Sequence, residues 1–349
     1  RNSGAGAIAL RKVSIVRSLG EDSVKQIFRT VGLALSAALL CIATGQVAAQ
    51  QYPNKPIRLI VAFPPSGATD IVARSIGQKL SEALDQQVIV ENRPGAGGNI
   101  GAEAAAQSAP DGYTLFLAAL TNHAIAASVY SNLHYNLTSS FTPVSLVGNV
   151  PHMLVVHPSL PANSVKELIE LAKAKPGQLN AASQGNGTLS HLELEMFKAS
   201  AGVNVLHVPY KGSSNAMPDL LAGQVSLFFD SIPSALPQVK AGKLKALGVL
   251  TSKRLAFLPN IPTIAESGLP GFEANNWFAL LAPAGTPKEI VNLLNAEIAK
   301  VVVMPDVRER LAGQGAILEA STPEQLSAII KSDLTKWAKV VKDSGTHVD

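Results

Sequence analysis

The 349-residue sequence predicts an α/β protein of two domains. Apolar runs of strand length alternate with helical patterns through most of the chain, the signature of sheets covered by helices. Two separate segments read strand, glycine turn, helix. Two long extended stretches without a helical pattern, 141–157 and 272–283, mark where the chain leaves one domain and returns to it. The boundaries expected from this are a leader at 1–49, a discontinuous first domain at 50–145 and 275–349, and an inserted second domain at 146–274.

The leader is read first because it distorts the bulk numbers. Lys25 and Arg29 precede an uncharged run from Val31 to Gly45, and Val47, Ala48 and Ala49 offer small residues for cleavage. A basic region, a short apolar region and a small-residue site make a secretory signal. A transmembrane anchor is the competing reading, but it needs about 20 apolar residues. Cys41 lies inside the apolar run, with Leu40 where a lipoprotein signal wants a small residue, so the exported chain is expected to carry no cysteine and no thiol chemistry. Removing 1–49 also removes the excess of basic residues, leaving 23 Lys/Arg against 23 Asp/Glu. A neutral chain gives no footing for nucleic-acid binding.

In the first domain, Ile57–Phe63 is an apolar strand, broken by Pro64, Pro65 and Gly67. Thr69 or Asp70 can cap a helix carried by Ile71, Val72, Ile76, Leu80 and Leu84. Val88–Val90 is a strand, Pro94–Gly98 a glycine turn and Ile100–Ala106 an Ala-rich helix. Tyr113–Leu120 is a buried strand ending in a polar corner, Thr121-Asn122-His123. The second domain opens with a helix behind Ser164 and Glu167, which have capping-box spacing. Leu179–Ser183 then leads through the turn Gln184–Thr188 to the helix Leu192–Ala201. Strands follow at Val205–Val208, Val225–Phe229 and Leu244–Leu250, with helices at Asn215–Leu221 and Ser234–Val239. Thr286-Pro-Lys-Glu289 and Thr322-Pro-Glu-Gln325 start two closing helices, each with Pro at the first helical position.

The candidate chemistry gathers at the two turns. First-turn N–H groups of a helix have no partner within it and face back toward the strand end, which makes each turn a candidate anion pocket. Gly67, Ala68 and Thr69 supply the first; Gly187 and Thr188 supply the second. Phe63 could wall the pocket. Asp70 beside an anion would repel it, so a capping and loop-holding role fits it better. Ser190 and Glu193 have capping-box spacing, and His191 either donates to a ligand or satisfies local backbone. Asp230, at the end of an apolar strand, either selects a ligand donor group or caps the next helix. Trp277 reads as packing near the second crossing. Catalytic patterns are missing: no Gly-x-Ser-x-Gly elbow, no His-Glu-x-x-His, no phosphate loop, and histidines without metal-ligand spacing. No enzyme activity, cofactor or metal is therefore expected. An exported hydrolase using Ser183 or Ser190 with His191 is the weaker alternative.

Several segments together resemble one family. They are YPNKPIRLIVAFPPSGATDIVAR, VENRPGAGGNIGAEAAAQSAPDGYTL, ASQGNGTLSHL, VPYKGSSNAMPDLLAGQVSLFFDSIPSALPQVKAGKLKALGV and IPTIAESGLPGFEANNWFALLAPAGTP. From about Tyr52 onward the chain is similar to the extracytoplasmic solute receptors of tripartite tricarboxylate transporters, the Bug family. That resemblance implies a type II-like periplasmic-binding-protein fold with the ligand in the interdomain cleft. It implies a carboxylate gripped by Ser66, Gly67, Ala68, Thr69 and Asp70 on one side and Gly187, Thr188 and His191 on the other. Asn122 and Asp230 would then meet the distal end of the ligand. Ser66 departs from the glycine common in the family, which puts the detail of the first turn in question. The implied partners are a small carboxylate and the membrane permease subunits of such a transporter, the implied location is the periplasm, and the receptor is expected to act as a monomer. A sensor feeding a membrane signalling partner would need the same closure around ligand.

Overall fold

The computed structural model describes residues 52–348, together with Gln26. The signal-like run, Cys41 and the cleavage region near Ala49 lie outside the described residues.

The first lobe starts with β1 (Ile57–Val61), whose apolar side chains are all fully buried, and passes through the Pro-Gly turn into α1 (Ala68–Leu84). Val72, Ala73, Ile76 and Leu80 form the buried face of α1. Then come β2 (Val88–Asn92), α2 (Asn99–Ala106) and β3 (Thr114–Ala119). The expected polar corner at Thr121–His123 is instead the first turn of α3 (Leu120–Val129). That helix is buried nearly all round, and its polar residues are tolerated inside because each has a hydrogen-bonding partner.

The chain then runs through β4 (Phe141–Asn149) and β5 (His152–Val156) into the second lobe. This lobe holds α4 (Val165–Ala174), β6 (Asn180–Ser183), α5 (Leu189–Ala201), β7 (Leu206–Pro209), α6 (Ser213–Leu221), β8 (Leu227–Ser231), α7 (Ile232–Lys240) and β9 (Lys245–Val249). Ser164 caps α4 by accepting from Glu167 N, while the Glu167 carboxylate reaches one residue past the box, to Asn163 N. The return strand is β10 (Trp277–Pro283), followed by α8 (Lys288–Val301), α9 (Pro305–Ala312), β11 (Ile317–Leu318) and α10 (Pro323–Ser344). Thr322 and Gln325 make a full capping box on α10. At α8 the expected cap is absent: Pro287 is the N-cap residue, and the Thr286 hydroxyl bonds Pro283 O.

Two sheets result. The first has six strands in the order β11-β4-β10-β3-β1-β2, the second five in the order β7-β6-β8-β5-β9. The βαβ units pair in parallel, β1 with β2 and β3, and β6 with β7 and β8. Neither sheet is purely parallel, because the crossing strands run against the rest: β10 is antiparallel to β3 and β4, and β5 to β8 and β9. The C-terminal ends of β1 and β6 each open into a turn and then a helix, the places where α/β folds bind ligands. Among the described residues no helix is long and apolar enough to cross a membrane.

Candidate functional site

The first turn is held by its own acid. Gly67, not Thr69 or Asp70, is the N-cap of α1, and it has an extended backbone. Asp70, one turn in, folds back: its Oδ2 accepts from Ser66 N at 3.0 Å and Arg74 Nε at 2.9 Å, and its Oδ1 from Asn92 Nδ2 at 2.9 Å. Asn92 also donates to Phe63 O at 2.9 Å, so both ends of the turn are tied to one amide. Burial would raise the Asp70 pKa, but Arg74, the Ser66 N–H and Asn92 together hold it below the usual carboxylate value. Ser66 sits at φ +67°, in the left-handed region that favours glycine. The first intrahelical bond is Ile71 N to Gly67 O, so the N–H groups of Ala68, Thr69 and Asp70 have no partner within the helix.

The second turn is built differently. Gln184 N donates to Ser190 Oγ, Gly185 N to Ser183 Oγ, Gly187 N to His191 Nδ1 and Thr188 N to Gly185 O. Thr188 is the N-cap of α5, and its hydroxyl donates to Gly185 O at 2.7 Å. Leu189 N, the first helical donor, goes to Asn122 Oδ1 at 2.6 Å, so a side chain of the first lobe caps a helix of the second. Gly187 lies at φ +68°, and a Cβ there would come within 2.7 Å of the Tyr130 ring, also in the first lobe. Tyr130 OH in turn donates to Asn186 O at 2.8 Å. This turn uses its donors to hold itself together and to fit against the other lobe.

Between the lobes lies a tight cavity, with only about 10 Å³ of room for the centre of a water-sized molecule. Of the residues singled out from sequence, Phe63, Gly67, Ala68, Thr69 and Asn122 line it. Ser66 faces a separate groove beside Ile71 and Met217. Asp70, Gly187, Thr188, His191 and Asp230 are not among the lining residues. His191 stacks on His207 with ring centroids 3.9 Å apart, and burial, with Lys198 nearby, lowers its pKa to about 4, which keeps Nδ1 free to accept from Gly187. Ser190 and Glu193 make no capping box: Ser190 serves Gln184 N, and Glu193 turns inward to His152. Ser183 pairs with His207 at 2.6 Å, so neither serine is joined to His191 in a nucleophile–base pair.

Sequence reading missed Gln184, Ser213, Ser231 and Asn276, which supply much of the polar lining. Gln184 Nε2 reaches Asp230 Oδ1 at 2.9 Å and Ser213 and Ser231 at 3.1 Å. Asp230 therefore acts on the wall from behind, by orienting Gln184 and Ser213. The one available signal was that Gln184 opens the glycine turn after β6. No lysine, arginine or histidine is among the residues lining the cavity. An anion in it would be met by helix N–H groups and neutral side chains.

Residues 72–346 match the family described as the tripartite tricarboxylate transporter family receptor, TctC. The chain belongs to this family. Protein BugT of Bordetella pertussis is 39% identical over 327 residues, which span 93% of this chain and 99% of BugT. Among solved structures, a protein of R. palustris with adipate has a TM-score of 0.83 at 37% identity, covering 85% of this chain and 99% of its own. The periplasmic binding protein BugD has a TM-score of 0.82 at 38% identity, with coverage of 85% and 99%. MatC from Rhodopseudomonas palustris, with bound malate, has a TM-score of 0.80 at 33% identity, with coverage of 83% and 100%. The TctC receptors are solute-binding proteins and not enzymes, and this member has their two-domain periplasmic-binding-protein fold.

Proposed function

We propose that this TctC-family chain is a periplasmic receptor that captures a small carboxylate by closing two domains around it. It then presents the closed form to the permease subunits of a tripartite tricarboxylate-type transporter. The observation that carries the reading is the N-terminus of α1: Gly67, Ala68 and Thr69 line a cavity that has no cationic side chain. A helix N-terminus with free N–H groups favours a carboxylate without a paired cation. The malate in MatC and the adipate in the R. palustris structure support this ligand class.

The moving bodies are 50–145 with 275–349, and 146–274, with hinges where β4 runs into β5 and where the chain enters β10. Contacts made only across the cleft, Asn122 to Leu189 N and Tyr130 to Asn186 O, would form on closure and stabilise it. One chain supplies both jaws, in keeping with a monomeric receptor. A thermal-shift screen over mono-, di- and tricarboxylates, amino acids and neutral sugars tests the ligand class. A carboxylate at 100 times its dissociation constant should add about 2.7 kcal/mol and raise Tm by several degrees. A shift with sugars and none with any carboxylate overturns the reading.

A further inference from the structure

The strands that cross between the lobes divide each sheet into a front and a rear. In the first sheet, β3, β1 and β2 lie on one side of the crossing strands β4 and β10, and β11 lies alone on the other. In the second, β8, β6 and β7 lie on one side of β5, and β9 lies alone on the other. Apart from Asn276 and Phe278, on the return crossing, every residue lining the cavity belongs to or follows β1, β3, β6, β7 or β8. The cavity is therefore at the front, and β11 and the loop after β9 are behind the hinge.

The lobes meet again at the rear. Gly315, just before β11, sits at φ +92°, and a Cβ there would collide with the Ile232 side chain and lie 3.5 Å from Phe257 Cε2. Ile232 opens α7 and donates its N–H to Pro151 O in the first crossing, so this contact is beside the hinge. A large apolar side chain from each lobe flanks it. Phe257, in the loop after β9, is 39% exposed, and Ile317, on β11, is 43% exposed.

Rotation about the crossings moves front and rear in opposite senses. Opening the cleft parts the turns after β1 and β6 and presses β11 toward the loop after β9. Gly315 on Ile232 acts as the fulcrum, while Phe257 and Ile317, on the solvent side of that contact, approach each other. The cross-cleft bonds of Asn122 and Tyr130 mark the present arrangement as the closed one. In it the front is bonded and the rear apolar surface stays in water. On opening, the front is hydrated and the rear surface is covered, which favours the open form.

We propose that Phe257 and Ile317 form an apolar latch for the open receptor, covering each other when the cleft opens, and so set ligand affinity from behind the hinge. The inference rests on the two-domain closure proposed above, not on which acid is bound. Ligand has to displace the latch, so the apparent affinity is the intrinsic one reduced by the fraction of closure-competent chains. Removing the latch raises affinity by the same factor for every ligand.

Phe257→Ser and Ile317→Ser change half-exposed side chains and leave the cavity untouched. Leu206→Ser, at an exposed apolar residue on the far edge of the second sheet, is the control. Small-angle scattering without ligand should show both rear variants more compact than the wild type, and the control unchanged. Calorimetry with malate and with adipate should show each rear variant binding roughly three- to tenfold more tightly, by one factor for each acid the wild type binds. Phe257→Leu, which keeps apolar surface, should stay near wild-type affinity. Unchanged scattering, or binding that is unchanged or weaker, overturns the latch, and so does a gain that the control shares. A wild type that binds neither these acids nor any other carboxylate defeats the proposed function instead, and the ligand-free scattering still judges the latch.

Discussion

The turn after β1 and the turn after β6 have the same place in their lobes and similar glycine-threonine sequences, yet they handle their backbone donors in opposite ways. In the first, Asp70 and Asn92 brace the loop from outside and leave the N–H groups of Ala68 and Thr69 without intrahelical partners at the cavity. In the second, Ser190, Ser183, His191 and Asn122 take up the donors of Gln184, Gly185, Gly187 and Leu189 in turn. A turn of this kind is therefore an anion site only if its bracing comes from side chains that do not occupy the donors. In the proposed receptor the first turn would grip the ligand, while the second fits against the opposite lobe and lends the Gln184 side chain to the wall.

The largest effect should come from blocking that fit. Gly187→Val combines a strained left-handed backbone with a side chain driven into the Tyr130 ring. Carboxylate affinity should drop by about a hundredfold or more, and small-angle scattering should show no compaction with ligand. Compaction and unchanged affinity would mean the second turn is not a closure surface. Next, Asn122→Ala removes the acceptor for Leu189 N. An unsatisfied buried donor costs about 1–3 kcal/mol, and here the cost falls on the closed form, because in the open form water can serve the N–H. Calorimetry should give roughly tenfold weaker binding, with the ligand-free Tm almost unmoved.

Acid should separate the turns. His191 has its pKa lowered to about 4 from 6.5, so its contribution is full above 6.5 and is lost as the pH falls through about 4. Asp70 also has a lowered pKa, so its contribution is present above 3.8 and is lost only as the pH falls below that. Amide-exchange protection at Gly187 should therefore decline between pH 6.5 and 4 while that at Ser66 persists. Simultaneous loss would show that the two turns are not independently braced. The smallest effect on binding is expected for Thr188→Ala, whose hydroxyl bonds within its own turn: about 1 kcal/mol of stability by denaturant titration, and affinity within about threefold.

The strand–turn–helix units were legible because their causes are local: apolar runs, Pro and Gly breaks, and a 3.6-residue stripe. What sequence spacing does not report is competition from distant partners. Ser190 and Glu193 stand three apart, as a capping box requires, but Glu193 is drawn to His152, 41 residues away, and Ser190 to Gln184 N. Thr121, Asn122 and His123 looked like a polar corner because their partners, Asp333, Leu189 N and Tyr135, come from three other segments. Asn276 gave no signal at all. Its partner, His152 on β5, lies 124 residues away in sequence.

In the proposed receptor the carboxylate sits on the N-terminus of α1. A crystal structure with the carboxylate that raises Tm most tests it directly. Ligand oxygens are expected within about 3.2 Å of N–H groups at Ala68 to Asp70, or joined to them through one water. A carboxylate bound instead to the N–H groups of Gly187 and Thr188, with the first turn empty, would contradict it.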